Sequence, residues 1–309
     1  MKLDVSKSII IDAPITTVQP LINDFNQWPS WSPWSVLEPS CSFKVEGNPS
    51  EPNHTMAWDG EIIGSGKNTL IAINDNRYDY DLEFFKPWKS QTKVNFCLEA
   101  INDTTKVTWN MDSSFPIFLF FMLKRMKNLI GMDYVRGLKM LKEVAETGEL
   151  KAKTEDNGMI EYQGFSYVGI QRTVSYQDMS ASMQQDFDKI VNDVVIQGGK
   201  GAQHWLSIYP KFNMNTMEVT YIAAISDEDI EGIELDSSYI KGDIEDSKML
   251  EIKHQGSYEF IGNAWSMGMM TLQAKKIKSK KHPFEQYWNN PKDVSPEELL
   301  SSVYFPVKS

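Results

Sequence analysis

The chain has 309 residues, 41% of them hydrophobic and 12% aromatic, enough for two ordinary cores and too apolar for a disordered chain. The formal net charge is -11, divided as -3 over residues 1–148 (15 basic, 18 acidic) and -8 over 149–309 (16 basic, 24 acidic). That balance argues against a general nucleic-acid binder, which needs a basic face for phosphates, and suits cationic small ligands better than anionic ones. Cys41 and Cys97 are far apart and read as buried thiols in a reducing compartment. The N-terminus carries no apolar signal core. The longest apolar run, Phe115 to Leu123, has nine residues and a proline, against the about 20 that a spanning helix needs. A soluble, cytoplasmic protein without membrane insertion is expected.

Lys7 to Ile11 reads as a strand ended by Asp12-Ala13-Pro14, and Pro14 suits the start of a helix whose buried face is Val18, Leu21 and Ile22. Two prolines then interrupt a tract holding Trp28, Trp31 and Trp34. Met56–Ile63, Lys67–Asn74, Arg77–Phe85, Gln91–Ala100 and Thr105–Met111 follow as short strands separated by Gly, Asn or Asp turns, the pattern of an antiparallel meander. A long helix is expected from Ile117 to Glu146, with Val135, Leu138, Leu141 and Val144 or Ala145 on one face and Gly148 to end it. Met111, Met122, Met126, Met132 and Met140 read as core or as an adaptable cavity lining.

Residues 4 to 147 resemble the START-like superfamily (SRPBCC, polyketide cyclase type). The resemblance is carried by Ile11-Asp12-Ala13-Pro14, Asp24-Phe25, Trp28 to Trp34, Trp58-Asp59-Gly60, Gly64-Ser65-Gly66, Thr105 to Trp109 and Gly137-Leu138-Lys139. It implies a helix-grip fold, a curved sheet around a long C-terminal helix with an apolar cavity between. No set of catalytic residues defines that family, so none is assigned.

Glu149 to Gly158 is charged and reads as a linker, giving domains over 1–148 and 160–309 with residues 149–159 between them. Beyond it, Phe165–Thr173 reads as a strand, Ala181–Val194 as a helix with Met183, Phe187, Ile190, Val191 and Val194 on one face, and Trp205–Tyr209 and Glu218–Ala224 as strands. Gly198-Gly199-Lys200-Gly201 reads as hairpin slack, since no Ser or Thr follows the lysine as a phosphate loop requires. The order then repeats: strand Lys248–His254, helix Tyr258 to about Lys276, strands Pro283–Trp288 and Ser302–Pro306. In the expected register Ser207 and Tyr209 lie opposite Glu285 and Tyr287. The fold class is therefore α+β, a helix-grip domain followed by a duplicated βαββ domain.

The second half resembles the gyrase-inhibitor-like (GyrI-like) family, also found as the effector-binding domain of multidrug-responsive transcription activators. The matching residues are His254-Gln255-Gly256-Ser257-Tyr258, Trp265, Pro283 to Tyr287, Asn290-Pro291 and Val303 to Val307. The resemblance implies a pocket at the seam of the repeat that binds varied drug-like molecules, often cations, with Glu285 at the position of the family's contacting acid. Some members are hydrolases using that acid with a nearby aromatic hydroxyl. The activators carry a DNA-reading helix-turn-helix where this chain has its helix-grip half, so direct nucleic-acid binding is not expected.

Glu285 and Tyr287 are two apart and share a strand face. With Tyr258, Trp265, Trp288, Tyr209 and Tyr304 they define the expected ligand site, a carboxylate walled by rings that suits a flat or lipophilic cation. Non-enzymatic binding or sensing of a small lipophilic aromatic, cationic molecule is the leading expectation. The alternative is a hydrolase or cyclase that detoxifies reactive lipophiles, with Glu285 as general acid/base assisted by Tyr287 or Tyr258. His254 reads as structural. His54, His204, His254 and His282 are scattered without metal-ligand spacing, so neither metal nor cofactor is expected. Lys275 to Lys281 reads as a solvated helix end, and Asp227 to Glu234 as a solvated acidic loop.

Overall fold

The computed structural model describes residues 1–114, 117–195, 204–226, 230, 233–280 and 282–308, divided into two compact units, Met1–Lys151 and Ala152–Ser309. The glycine turn at 198–201, the acidic residues Asp227, Glu228, Asp229 and Glu231, and Lys281 lie outside the described residues.

The first unit opens with β1 (Lys2–Ile11), and α1 (Ile15–Asn23) starts directly after Pro14, whose φ of -65° leads into a helix without strain. Then come α2 (Pro33–Leu37), β2 (Ser42–Glu46), β3 (Thr55–Asp59), β4 (Ser65–Asn74), β5 (Arg77–Lys86), β6 (Ser90–Ile101) and β7 (Thr104–Ser114). They form one antiparallel sheet in the order β1-β7-β6-β5-β4-β3-β2. Glu38 is buried after α2 and accepts the backbone N–H groups of Glu61, Ile62 and Ile63 at 2.8, 2.9 and 3.0 Å, tying down the β3–β4 loop. The helix expected from Ile117 begins instead as 3-10 coil over Ile117–Met122 and becomes α3 over Leu123–Thr147. It ends at Gly148, whose φ of 92° needs a residue without Cβ, and whose N–H reaches Val144 O at 2.9 Å.

Aromatic rings fill the space under α3. Trp109 stacks on Tyr134 at 4.0 Å and on Phe96 at 4.7 Å, and meets Trp31 and Trp34 edge-on at 5.8 Å. Gly137 permits this approach, because a Cβ there would sit 2.8 Å from the Trp109 ring. The tryptophans of the proline-rich tract find partners for their N–H groups, Trp28 on Ile22 O and Trp31 on Leu21 O, both at 2.8 Å. These rings occupy much of the ground where an apolar cavity was expected. A hollow of about 930 Å³ opens on the other face of the sheet, among Lys2, Asp81, Lys93 and Asp112, and its polar lining does not suit a lipophile.

The second unit begins with β8 (Lys153–Tyr162), a strand inside the stretch expected as a linker. β9 (Phe165–Ser175), α4 (Met179–Ile190), β10 (Trp205–Asn213) and β11 (Glu218–Ser226) make the first repeat. β12 (Tyr239–Ile244) precedes the second, formed by β13 (Ser247–Gln255), α5 (Gly262–Ala274), β14 (Phe284–Tyr287) and β15 (Leu300–Pro306). The sheet order is β12-β9-β11-β10-β14-β15-β13-β8, so the repeats meet at β10 and β14.

The lead strands are exchanged between repeats. β8 runs into β9 but pairs with β13; β12 runs into β13 but pairs with β9. Only residues 163 and 164 separate β8 from β9, which limits the Tyr162–Phe165 span to about 11 Å. Six strand spacings lie between them in the sheet, about 29 Å if it were flat. The sheet must therefore curl. Gly164 marks where the two connections cross: its N–H donates to Asp246 Oδ1 at 2.7 Å, and a Cβ would lie 2.0 Å from Ile244 O. Tyr167, Leu206, Ile208, Phe284 and Tyr304 pack together on one face of the curl. The helices cover the other face, where Val168, Ile170, Ile190, Tyr221 and Ile225 form a second core. Sealing a side chain such as Phe284 from water contributes about 2–3 kcal/mol.

Candidate functional site

The site is built at the seam. Ser207 of β10 pairs with Glu285 of β14, and Trp205 with Tyr287. The expected pairing of Tyr209 with Tyr287 is replaced by this one because antiparallel strands run in opposite senses. Tyr209 sits instead at an irregularity of β10, with its N–H on Pro283 O at 3.0 Å. Alternation along β14 sends Glu285 and Tyr287 to the helix-covered face, between α4 and α5.

Glu285 is only 4% exposed. Its Oε1 accepts from Trp265 Nε1 and its Oε2 from Tyr287 Oη, each at 2.5 Å, and the Tyr209 hydroxyl also donates to the carboxyl. Ser207 Oγ lies within hydrogen-bond reach of both Tyr287 Oη, at 2.9 Å, and Met183 Sδ of α4, at 3.1 Å. The rings hold one another at right angles: Tyr209 on Trp265 at 5.0 Å, Tyr258 on Tyr287 at 5.2 Å, Trp265 on Phe305 at 5.4 Å. Gly268 of α5 admits the Phe305 ring, since a Cβ there would be 2.1 Å from it. Four rings around the acid, Tyr209, Tyr258, Trp265 and Tyr287, are half-buried, so a deeply buried carboxyl lies beneath partly accessible aromatic surface.

Burial pushes the Glu285 carboxyl above the ordinary carboxylate range, against the pull of its three hydrogen-bond donors. Burial first, and then the Glu285 charge, raise the Tyr258 hydroxyl to about 12 and Tyr287 and Tyr209 well above their usual value, so all three stay protonated donors. Among the described residues no cationic side chain pairs with Glu285. The arrangement can recognise positive charge, and it can hold or release a proton at Glu285.

Of the expected residues, Glu285, Tyr287, Trp265, Tyr209 and Tyr258 come together. Tyr304 does not. It pairs with Phe284 and Glu251, so its side chain takes the opposite face, where its hydroxyl donates to Glu251 Oε1 at 2.9 Å and its ring lies 4.9 Å from Tyr162. Trp288 also turns away; it is exposed and donates to Ser302 Oγ at 3.1 Å. His254 is buried, with Nε2 donating to Ser257 O at 3.1 Å, and burial lowers its pKa; it shapes the turn into α5. Phe187 and Met183 lie on the face of the helix expected over Ala181–Val194, and Trp205 opens a strand to which no site role was given. Phe187 lies 6.0 Å from Tyr287 and 5.7 Å from Trp205. The α4 periodicity that marked Phe187 and Met183 as buried was the available signal.

Both halves can now be placed. The chain joins a START-like domain of the polyketide cyclase type to a small-molecule-binding domain. Residues 2–146 match the family of polyketide cyclase / dehydrase and lipid transport proteins, and residues 159–308 match the GyrI-like small molecule binding domain. Comparison with curated proteins gives no match. Among solved structures it is similar to a protein from Nitrosospira multiformis (23% identity over 47% of this chain and 97% of that one, TM-score 0.36). It is also similar to a START superfamily protein from Mycobacterium smegmatis (21%, 46% and 97%, TM-score 0.34). A third likeness is to EcmrR in a complex with DNA (14%, 63% and 78%, TM-score 0.40).

Proposed function

We propose that the second domain binds lipophilic aromatic cations, with Glu285 selecting charge and Tyr209, Tyr258, Trp265 and Tyr287 supplying ring surface. One observation carries the reading: a carboxyl sealed from solvent whose partners are all neutral ring donors. A buried charge without a counter-ion is costly, and a bound cation relieves that cost. The ring faces around it attract the same charge. Binding requires Trp265 and Tyr287 to swing off the acid, exchanging two neutral donors for an ion pair. The test is titration with a lipophilic aryl cation and an uncharged compound of the same shape. Preference for the cation supports the reading; equal affinity for both sinks it.

A second reading draws on the same carboxyl. Raised by burial and flanked by the Tyr287 and Tyr209 hydroxyls, it is suited to general acid/base work on a reactive lipophile. Consumption of strained electrophiles, followed by mass spectrometry and abolished in Glu285→Gln, would favour turnover over binding alone.

A further inference from the structure

The first unit presents a feature that neither core nor ligand site uses. Phe118, Phe120 and Phe121, in the 3-10 coil leading into α3, are 75%, 68% and 64% exposed. Phe120 and Phe121 touch edge to face at 6.0 Å. Phe rings carry roughly 200 Å² each, so these three expose about 400 Å², the size of the largest apolar patch on an ordinary monomer. Strand register brings a second aromatic loop to the same end of the sheet. Phe84 pairs with Ser90, Lys93 with Asp112, and Lys2 with Ser114, so the β5–β6 hairpin and the end of β7 lie side by side. That hairpin carries Trp88, 67% exposed, and the exposed Phe85.

The charge here runs against the rest of the chain. Lys124 and Arg125 are exposed and Lys127 half-buried just after the phenylalanines, and the exposed Lys89 adjoins Trp88, whose other neighbouring lysine, Lys86, is paired with Asp59 at 3.0 Å. No acid occurs in 113–132 or in 84–92, in a protein of net charge -11. No described helix is long and apolar enough to cross a membrane. Rings on protruding turns, ringed by basic side chains, are what an anionic bilayer surface accepts: the rings enter the headgroup–acyl boundary and the cations meet lipid phosphates.

We propose that this end of the first domain docks on anionic lipid bilayers, inserting Phe118, Phe120, Phe121 and Trp88 to headgroup depth while Lys124, Arg125 and Lys127 contact lipid charge. A second copy of the chain fits less well, because a symmetric contact would set these basic side chains against their own counterparts.

Flotation of the full chain with vesicles tests this. With phosphatidylcholine containing roughly a third phosphatidylglycerol the protein floats, and with phosphatidylcholine alone or at high salt it floats far less. Each basic residue near the surface is worth about fivefold in partitioning, so K124Q/R125Q/K127Q binds about a hundredfold more weakly. F118S/F120S/F121S loses binding by more than about a hundredfold. Its circular dichroism is unchanged, because the rings support no core. Three results would overturn the proposal. One is wild-type protein that stays off anionic vesicles. Another is a serine variant that binds as well as wild type. The third is a dimer, seen by sedimentation velocity and abolished in the serine variant, without vesicle binding.

Discussion

Replacing Glu285 by Gln keeps the shape of the side chain and removes its charge. A hydrogen bond to a charged group contributes about 1.5–3 kcal/mol and each 1.4 kcal/mol is tenfold, so affinity for a lipophilic aryl cation should fall about ten- to a hundredfold. The uncharged isostere should change by less than about threefold. Stability responds in the opposite sense. The folded-state pKa of Glu285 is raised above its usual value, so its contribution is fully present below the unfolded-state pKa and is lost as pH rises through the folded-state pKa. Above that point wild-type protein buries a charge that the amide does not. The gap in melting temperature, variant minus wild type, should therefore widen as pH rises from the carboxylate range to mild alkali. Calorimetric titration with both ligands, and thermal melts across pH, measure the two effects. Equal losses for cation and isostere, or a gap flat in pH, would refute the reasoning.

Three further outcomes follow from named contacts. Tyr304→Phe removes a bond to Glu251 on the face away from the site, so it should cost about 1–2 kcal/mol in denaturant unfolding and leave cation affinity unchanged, whereas Tyr287→Phe should alter affinity. Gly268→Ala drives a methyl into the Phe305 ring that Trp265 leans on; about 1–3 kcal/mol of second-domain stability should be lost together with ligand affinity, measured by melts and titration. Glu38→Ala takes the acceptor from three part-buried backbone N–H groups in the first domain and should destabilise it by about 1–3 kcal/mol, with hydrogen exchange rising first at residues 61–63.

Much of this architecture is legible in the chain because its signals are local. Turn residues such as Asp75 and Asn102, both at positive φ, separate the strands of the meander, and Gly148 ends α3 where it was expected to. Glu285 and Tyr287 share a face because they are two apart on one strand. What escaped depends on long-range pairing. β8 reads as a linker because it has a run of charged and polar residues, Lys153 to Asn157, as an edge strand facing water can. Tyr304 looks like a ring for the same site, yet its face is fixed by its pairing with Phe284 and Glu251, which no local pattern encodes. The contacts of Phe187 and Trp205 with each other and with Tyr287 likewise form only once β10 and β14 pair.

The exchange of lead strands has a consequence for biosynthesis. Of the second unit, β8 is made first, ends at Tyr162, and finds its partner only when β13, beginning at Ser247, has been made. A fragment stopped after β11 would hold one strand with no neighbour and another, β9, with an open flank, so half of the duplication cannot be cut out as a working module. Each repeat is incomplete without the lead strand of the other.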